Sequence, residues 1–165
     1  MSRRWVLNAS PVIILAKINH AWLFKKLADE VIMPQAVAEE INVGPPHDNA
    51  VSLLKKGYFQ IIDEFNILPE IIAWDLGKGE TAVLSYVYAN PKWTAILDDG
   101  LARKCAKSFL LSVKGTLGIV LLAKKHGIIP SASDVLHGLK QVDYRIDDKV
   151  IEKALWKTVG EAWKS

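Results

Sequence analysis

Short apolar runs alternate with helix-periodic stretches along most of the chain, and that alternation sets the expectations for its fold. Trp5-Val6-Leu7 is too short and too apolar for a surface helix and reads as a buried strand ending at Asn8. Ser10-Pro11 then supplies a helix start, serine as N-cap and proline at the first helical position. The helix that follows, Val12 to Ile18, is apolar on nearly every side, so it should be buried against the sheet or a partner subunit. A second helical piece, Ala21 to Leu27, leads to a strand from Glu30 to Met33 closed by Pro34. Pro34 to Ile41 restarts a helix with Val37 and Ile41 on one face and Glu39 and Glu40 among its last residues. Beyond the loop Asn42 to His47 come a helix from Asn49 to Lys56, ended by Gly57, and a strand from Tyr58 to Ile62.

The second half keeps the same rhythm. After a short helix following Pro69, Gly77-Lys78-Gly79 opens a helix in which Ala82, Val83, Tyr86 and Val87 recur at helical spacing, placing Glu80 in its first turn. A strand from Thr94 to Leu97, a helix through Phe109, a strand from Leu111 to Val113 and a helix from Leu117 to Lys125 follow. From Pro130 onward only helices are expected, Asp134 to Val142 and Lys149 to Trp163. On the last of them Ile151, Leu155, Val159 and Ala162 share a stripe, and Trp156 and Trp163 stand seven apart. Strands alternating with helices define an α/β fold on a parallel sheet of about five strands.

Composition narrows the setting. With 165 residues, half of them hydrophobic, the chain fits one domain with a sizeable core. Its one cysteine, Cys105, excludes an internal disulfide framework and points to a reducing, cytoplasmic location. Ser2-Arg3-Arg4 before an apolar run resembles a signal peptide, but Asn8, Ser10 and Pro11 interrupt the run and Lys17 ends it. No apolar run has the length of a membrane span, so a soluble protein is expected. A net charge of +3 is too small to announce a nucleic-acid binder. Its distribution says more: from Gly100 to Ser133 there is no acidic residue, while Arg103, Lys104, Lys107, Lys114, Lys124 and Lys125 all lie there. Such a field would draw a polyanion, although the solvated faces of two helices would look the same.

No phosphate-binding glycine loop is present, the four histidines lack metal-ligand spacing, and no Ser-His-Asp order is evident. What remains is a set of oxygen donors: Asn8, Glu40, Glu80, Asp98 and Asp99. Adjacent carboxylates such as Asp98 and Asp99 repel unless they share a cation or a proton, so a solvated turn and a metal site both account for them. Glu40 lies toward a helix C-terminus, where a negative charge wants solvent or a cation, and Glu80 lies where the helix dipole alone would favour it. Hard oxygen ligands of this kind suit Mg²⁺ or Mn²⁺.

Five blocks carry a family resemblance. They are Val6-Leu7-Asn8-Ala9-Ser10-Pro11-Val12-Ile13, Pro34-Gln35-Ala36-Val37 to Glu40, and Gly79-Glu80 with Ala82. The others are Leu97-Asp98-Asp99 with Arg103 and Ala106, and Gly115-Thr116-Leu117-Gly118 with Ala123 and Gly127. Together they resemble the PIN-domain ribonucleases, in particular an archaeal and bacterial branch. The resemblance implies a three-layer α/β/α fold, one PIN-like domain over residues 1–165 with 130–165 as a helical extension packed on it. It also implies an acidic cluster holding divalent metal for hydrolysis of RNA phosphodiesters. By position, Glu40, Glu80 and one or both of Asp98 and Asp99 would be the metal carboxylates, and the family's first carboxylate falls on Asn8. Ser10 and Thr116 would orient ligands, unless they are a helix cap and a turn residue. Arg103 would fix Asp99 through an i,i+4 ion pair or reach a phosphate. Many relatives are toxins of toxin–antitoxin pairs, often dimeric and silenced by a small partner protein, so an antitoxin-like partner and a homodimer are implied. Three readings follow: a working metal-dependent ribonuclease, a PIN-like protein whose cleavage is lost or attenuated through Asn8, and an unrelated nucleotide- or small-molecule-binding module.

Overall fold

The computed structural model describes residues 2–63 and 65–164. Five parallel strands, β1 (Arg4–Leu7), β2 (Glu30–Pro34), β3 (Gln60–Ile62), β4 (Thr94–Ile96) and β5 (Val113–Lys114), form one sheet in the order β3-β2-β1-β4-β5. Trp5, Val6 and Leu7 are all buried, as a central parallel strand covered on both faces requires. The helices are α1 (Ala9–Lys17), α2 (Trp22–Leu27), α3 (Gln35–Asn42), α4 (Asn49–Lys55), α5 (Pro69–Ile72), α6 (Lys78–Ala89), α7 (Gly100–Ser108), α8 (Thr116–Lys125), α9 (Ala132–Gln141) and α10 (Asp148–Val159). They fall into two packed groups, α1 with α3, α4 and α6, and α2 with α8, α9 and α10, giving an α/β/α arrangement around the sheet. Leu136, Leu139, Ile151 and Leu155 of the last two helices belong to the same core cluster as Trp5, Leu84 and Ile119. Cys105 is buried in that core. Among the described residues no helix is long and apolar enough to cross a membrane.

From β1 the chain builds the sheet outward in two directions, to β2 on one side and to β4 on the other. The C-terminal ends of β1 and β4 therefore border the crevice where ligands bind in open parallel sheets. Asn8 follows β1 directly, and its backbone N–H donates to the Ile96 carbonyl at 2.9 Å, tying it to the end of β4.

Some boundaries differ from those expected. Helix α1 starts at Ala9 with Asn8 as N-cap, because Asn8 keeps an extended backbone (φ −89°, ψ 167°) and lets the helix begin at once. Ser10 is thus an exposed residue of the first turn and not the cap. Strand β5 begins at Val113 instead of Leu111, since Leu110 at φ 58° turns the chain and Leu111 N–H closes back onto the Ala106 carbonyl. Helix α10 ends at Val159, because Gly160 adopts the left-handed conformation (φ 68°) that terminates helices. Ala162 and Trp163, expected on this helix, therefore lie beyond it: Trp156 is 70% exposed, and Trp163 stacks on the His137 ring at 4.0 Å.

Candidate functional site

Asparagine is among the best N-cap residues, yet the side chain of Asn8 makes no capping hydrogen bond. Its Oδ1 is buried and has no hydrogen-bond partner among the described residues, in a residue only 2% exposed. An orphaned buried acceptor costs about 1–3 kcal/mol, so the position asks for an explanation. The oxygen faces helix α6 at Gly79. A Cβ on Gly79 would lie 3.0 Å from Asn8 Oδ1, 2.8 Å from Glu40 Oε2 and 3.3 Å from Val37 Cγ2. Only a glycine lets α6 approach α3 and the end of β1 this closely. Asn8 and Glu40 accordingly border one small space, although they are far apart in sequence.

Glu40 remains an exposed residue on the last turn of α3, but its carboxyl is held above the ordinary glutamate range, first by burial and then by the charge of Glu80. Glu80 stands in the first turn of α6 and curls back over the N-cap, its Oε2 2.6 Å from where a Cβ on Gly77 would sit. Neither carboxylate forms an ion pair among the described residues. Glu40 thus faces the unpaired Asn8 amide oxygen at Gly79 and feels the charge of Glu80 from the first turn of α6, with no ion pair to offset either carboxylate among the described residues. Glu39, the neighbour of Glu40, is exposed and meets only Gln35, at 3.4 Å.

The other two acids have partners. Asp98, two residues beyond β4, accepts hydrogen bonds from Thr116 N–H at 2.8 Å and from Thr116 Oγ1 at 2.6 Å. Thr116 is fully buried at the start of α8, so Asp98 is clamped to that helix. Asp99 is the N-cap of α7 and accepts from Ala102 N–H at 2.9 Å, which accounts for it without any ligand. The expected Asp99–Arg103 ion pair is not formed. With the Asp99 carboxylate turned to its own helix's amides, Arg103 points back and donates from Nη1 to the Leu97 carbonyl at 3.3 Å. Gly115 marks a second close approach: a Cβ there would lie 2.8 Å from Asp98 Oδ1 and 2.9 Å from Arg103 Nη1. Ser10 is exposed and makes no side-chain hydrogen bond among the described residues.

Tyr144 joins the site without any signal in the sequence. It is buried beside Asp98, its hydroxyl accepts from Leu117 N–H at 3.2 Å, and burial followed by the Asp98 charge keeps its phenol protonated well above the usual range. Nothing in the local pattern around residue 144 signals this, because the contact depends on where the segment before α10 crosses the edge of the sheet.

Among the described residues, no three side chains of histidine, cysteine, aspartate and glutamate gather closely enough to hold a metal ion by themselves. What comes together is Glu40 with the orphaned Asn8 oxygen, with Glu80 close enough to raise the Glu40 carboxyl by its charge, while Asp98 stands beyond the end of the adjoining strand β4. An all-oxygen set of this size fits a hard divalent cation that keeps several of its waters. The unmet acceptor of Asn8 and the mutual repulsion of the two glutamates are both relieved by such an ion.

A family model described as a PIN domain matches residues 4–160. Among solved structures, the chain is similar to the crystal structure of PAE2754 from Pyrobaculum aerophilum, with a TM-score of 0.53 and 16% sequence identity over 74% of this chain and 90% of that one. At that identity the likeness speaks for the fold. No protein of curated function matches the sequence. The family match runs from β1 into the segment after α10 and takes in every acidic position described above. On that match the chain belongs to the PIN-domain family, whose members are in general nucleases.

Proposed function

We propose that this chain is a metal-dependent endoribonuclease of PIN type, using Mg²⁺ or Mn²⁺, whose activity is held low by Asn8. The observation that carries the reading is the buried, unpartnered Asn8 Oδ1 facing Glu40 Oε2 across Gly79. Asn8, Glu40 and Glu80 would hold the ion, with Asp98 adjoining. When bound, such an ion polarises a phosphoryl oxygen and lowers the pKa of a water. The chain's own contribution is positioning. Gly79 keeps the space open, Thr116 holds Asp98 in one orientation, and Tyr144 packs beside Asp98 to limit its access to water. Burial and the charge of Glu80 hold the Glu40 carboxyl above its ordinary range, a repulsion that an ion held between the two carboxylates would relieve.

The reading extends to a cytoplasmic setting with RNA as substrate, and to a toxin of a toxin–antitoxin pair, acting as a homodimer and silenced by a small antitoxin protein. Family context supports this wider part, and the buried Cys105 is in keeping with a reducing compartment. Asn8 favours a second reading, a PIN-like protein that binds RNA or an antitoxin-like partner without cutting, since a neutral amide stands where an acid would strengthen the site. The test is cleavage of a structured RNA with Mn²⁺, repeated with chelator and with Glu80→Gln. Cleavage abolished by chelation and reduced at least about tenfold in the variant is expected. RNA retained but not cut under Mn²⁺ would select the second reading, and cleavage indifferent to chelation would contradict both.

A further inference from the structure

Beside Asp98 lies a cavity of about 460 Å³ between the end of β5, the start of α8 and the segment leading into α10, with neither Glu40 nor Glu80 in its lining. Three cationic side chains line it, Arg103, Lys114 and Arg145, against one acid, Asp98. That acid is already committed, because both of its oxygens accept from Thr116. The first amides of α8 are committed as well, Thr116 N–H to Asp98 and Leu117 N–H to the Tyr144 hydroxyl. Only Gly118 N–H of the first three amides is left without a partner among the described residues, so an anion drawn here would be held chiefly by the side chains.

Of the acids near Arg145, Asp147 caps α10 through Lys149 N–H, Asp148 pairs with Lys140 at 3.3 Å, and Asp143 is exposed and does not line the cavity. Lys114 lies over Gly118, where a Cβ would meet its Cγ at 2.9 Å, so the absence of a side chain at 118 makes room for it. Burial, and then the charges of Arg3 and Arg103, depress the Lys114 ammonium below its ordinary range, which marks a place where positive potential is not offset. None of the three cavity cations forms an ion pair among the described residues.

We infer that this cavity is a phosphate subsite that holds an RNA backbone phosphate next to the one presented at Asn8, Glu40 and Glu80. The inference rests on the ribonuclease reading and deepens it, since Asp98 lines the cavity and follows β4, the strand whose end is hydrogen-bonded to Asn8. It also gives the C-terminal segment a role in substrate binding, because Tyr144 and Arg145 complete the cavity.

The experiment is fluorescence anisotropy with a labelled, short single-stranded RNA in the presence of chelator, so that binding is read without cleavage, at several salt concentrations. Arg145 is exposed, and its replacement should leave the fold intact, which a thermal melt checks. Arg145→Glu should lower affinity at least about tenfold. The milder pair Arg145→Gln and Lys114→Gln should flatten the slope of log affinity against log salt by about 0.7 for each phosphate that is no longer neutralised. Lys124→Gln serves as the control, since Lys124 is engaged by the Pro130 carbonyl and Glu161.

Affinity and slope unchanged in the Arg145 and Lys114 variants, with Mn²⁺-dependent cleavage by the parent intact, would overturn the subsite and leave the nuclease reading standing. An equal loss in the Lys124 control would reduce the effect to bulk charge and overturn it too. Adenosine monophosphate competing as strongly as the RNA would make the cavity a mononucleotide pocket instead. A parent protein that does not bind RNA at all would overturn the subsite and the ribonuclease reading together.

Discussion

Gly79→Ala adds a single carbon to the space that Asn8 and Glu40 share. The new Cβ would stand 2.8 Å from Glu40 Oε2, 3.0 Å from Asn8 Oδ1 and 3.3 Å from Val37 Cγ2. The first distance is below any that real Cβ atoms tolerate, so the end of the Glu40 side chain must swing away. The Asn8 amide, being buried, can yield only a few tenths of an ångström. For stability the terms oppose each other. Alanine for glycine within a helix gains about 1 kcal/mol, and overpacking a close contact costs about 1–3 kcal/mol. The net change should thus stay within about 2 kcal/mol, because the worst clash is with a flexible, partly exposed side chain. Metal binding has no such compensation, since Glu40 leaves the position in which it faces Asn8. Calorimetric titration with Mn²⁺, made in an Asn8→Asp background where binding is tighter, should show affinity falling at least about tenfold, or 1.4 kcal/mol. A thermal melt would confirm that the variant is folded. Unchanged Mn²⁺ affinity in a folded Gly79→Ala protein would refute the idea that this space is a cation site.

Two further outcomes are expected. Thr116→Val keeps the shape of a buried side chain but removes the hydroxyl that donates to Asp98 at 2.6 Å. It should cost about 1.5–3 kcal/mol by urea denaturation, the range for hydrogen bonds to charged groups, and a loss below about 0.5 kcal/mol would mean that Asp98 is not clamped there. For Glu40, the folded-state pKa is raised, so its contribution to stability is complete below the unfolded-state pKa near 4.3 and is lost as pH rises through the folded value. In chelator at neutral pH, Glu40→Gln should therefore melt above the parent, with the gap closing as the pH is lowered. The reverse order at neutral pH would show that Glu80 does not burden Glu40.

Most of the fold was legible because buried strands declare themselves as short apolar runs, and Trp5-Val6-Leu7 and Ala95-Ile96-Leu97 are fully buried where the pattern placed them. Helix ends were read less well, for local reasons. Ser10-Pro11 is a good start signal, but Asn8 takes the N-cap position two residues earlier through its extended backbone, without a side-chain capping bond. The helix expected from Lys149 to Trp163 stops at Val159, because Gly160 takes the left-handed backbone. At the site, the donor residues carry the family's motif, but their alliances follow from three-dimensional packing. Asp99 and Arg103 have the spacing of an ion pair, and helix capping outcompetes it. Gly79 had no signal of its own, because the need for a bare backbone appears only when α3 and the end of β1 are brought against α6. Tyr144 and Arg145 lie about thirty residues beyond β5 and meet it only through the path of the C-terminal segment, which no periodicity encodes.

Asn8 decides how strongly the site can hold a cation. A carboxylate there would add one unit of negative charge to the space shared with Glu40 and Glu80. Unit charges about 4 Å apart attract by roughly 4 kcal/mol at an effective dielectric near 20, and desolvation and carboxylate repulsion return part of this. The decisive measurement is calorimetric titration of the parent and of Asn8→Asp with Mn²⁺, paired with cleavage of one structured RNA by both. Weak binding and slow cleavage are expected for the parent, with affinity at least about tenfold tighter and cleavage faster for Asn8→Asp. A folded Asn8→Asp protein with the parent's Mn²⁺ affinity and the parent's cleavage rate would contradict a cation site at this position.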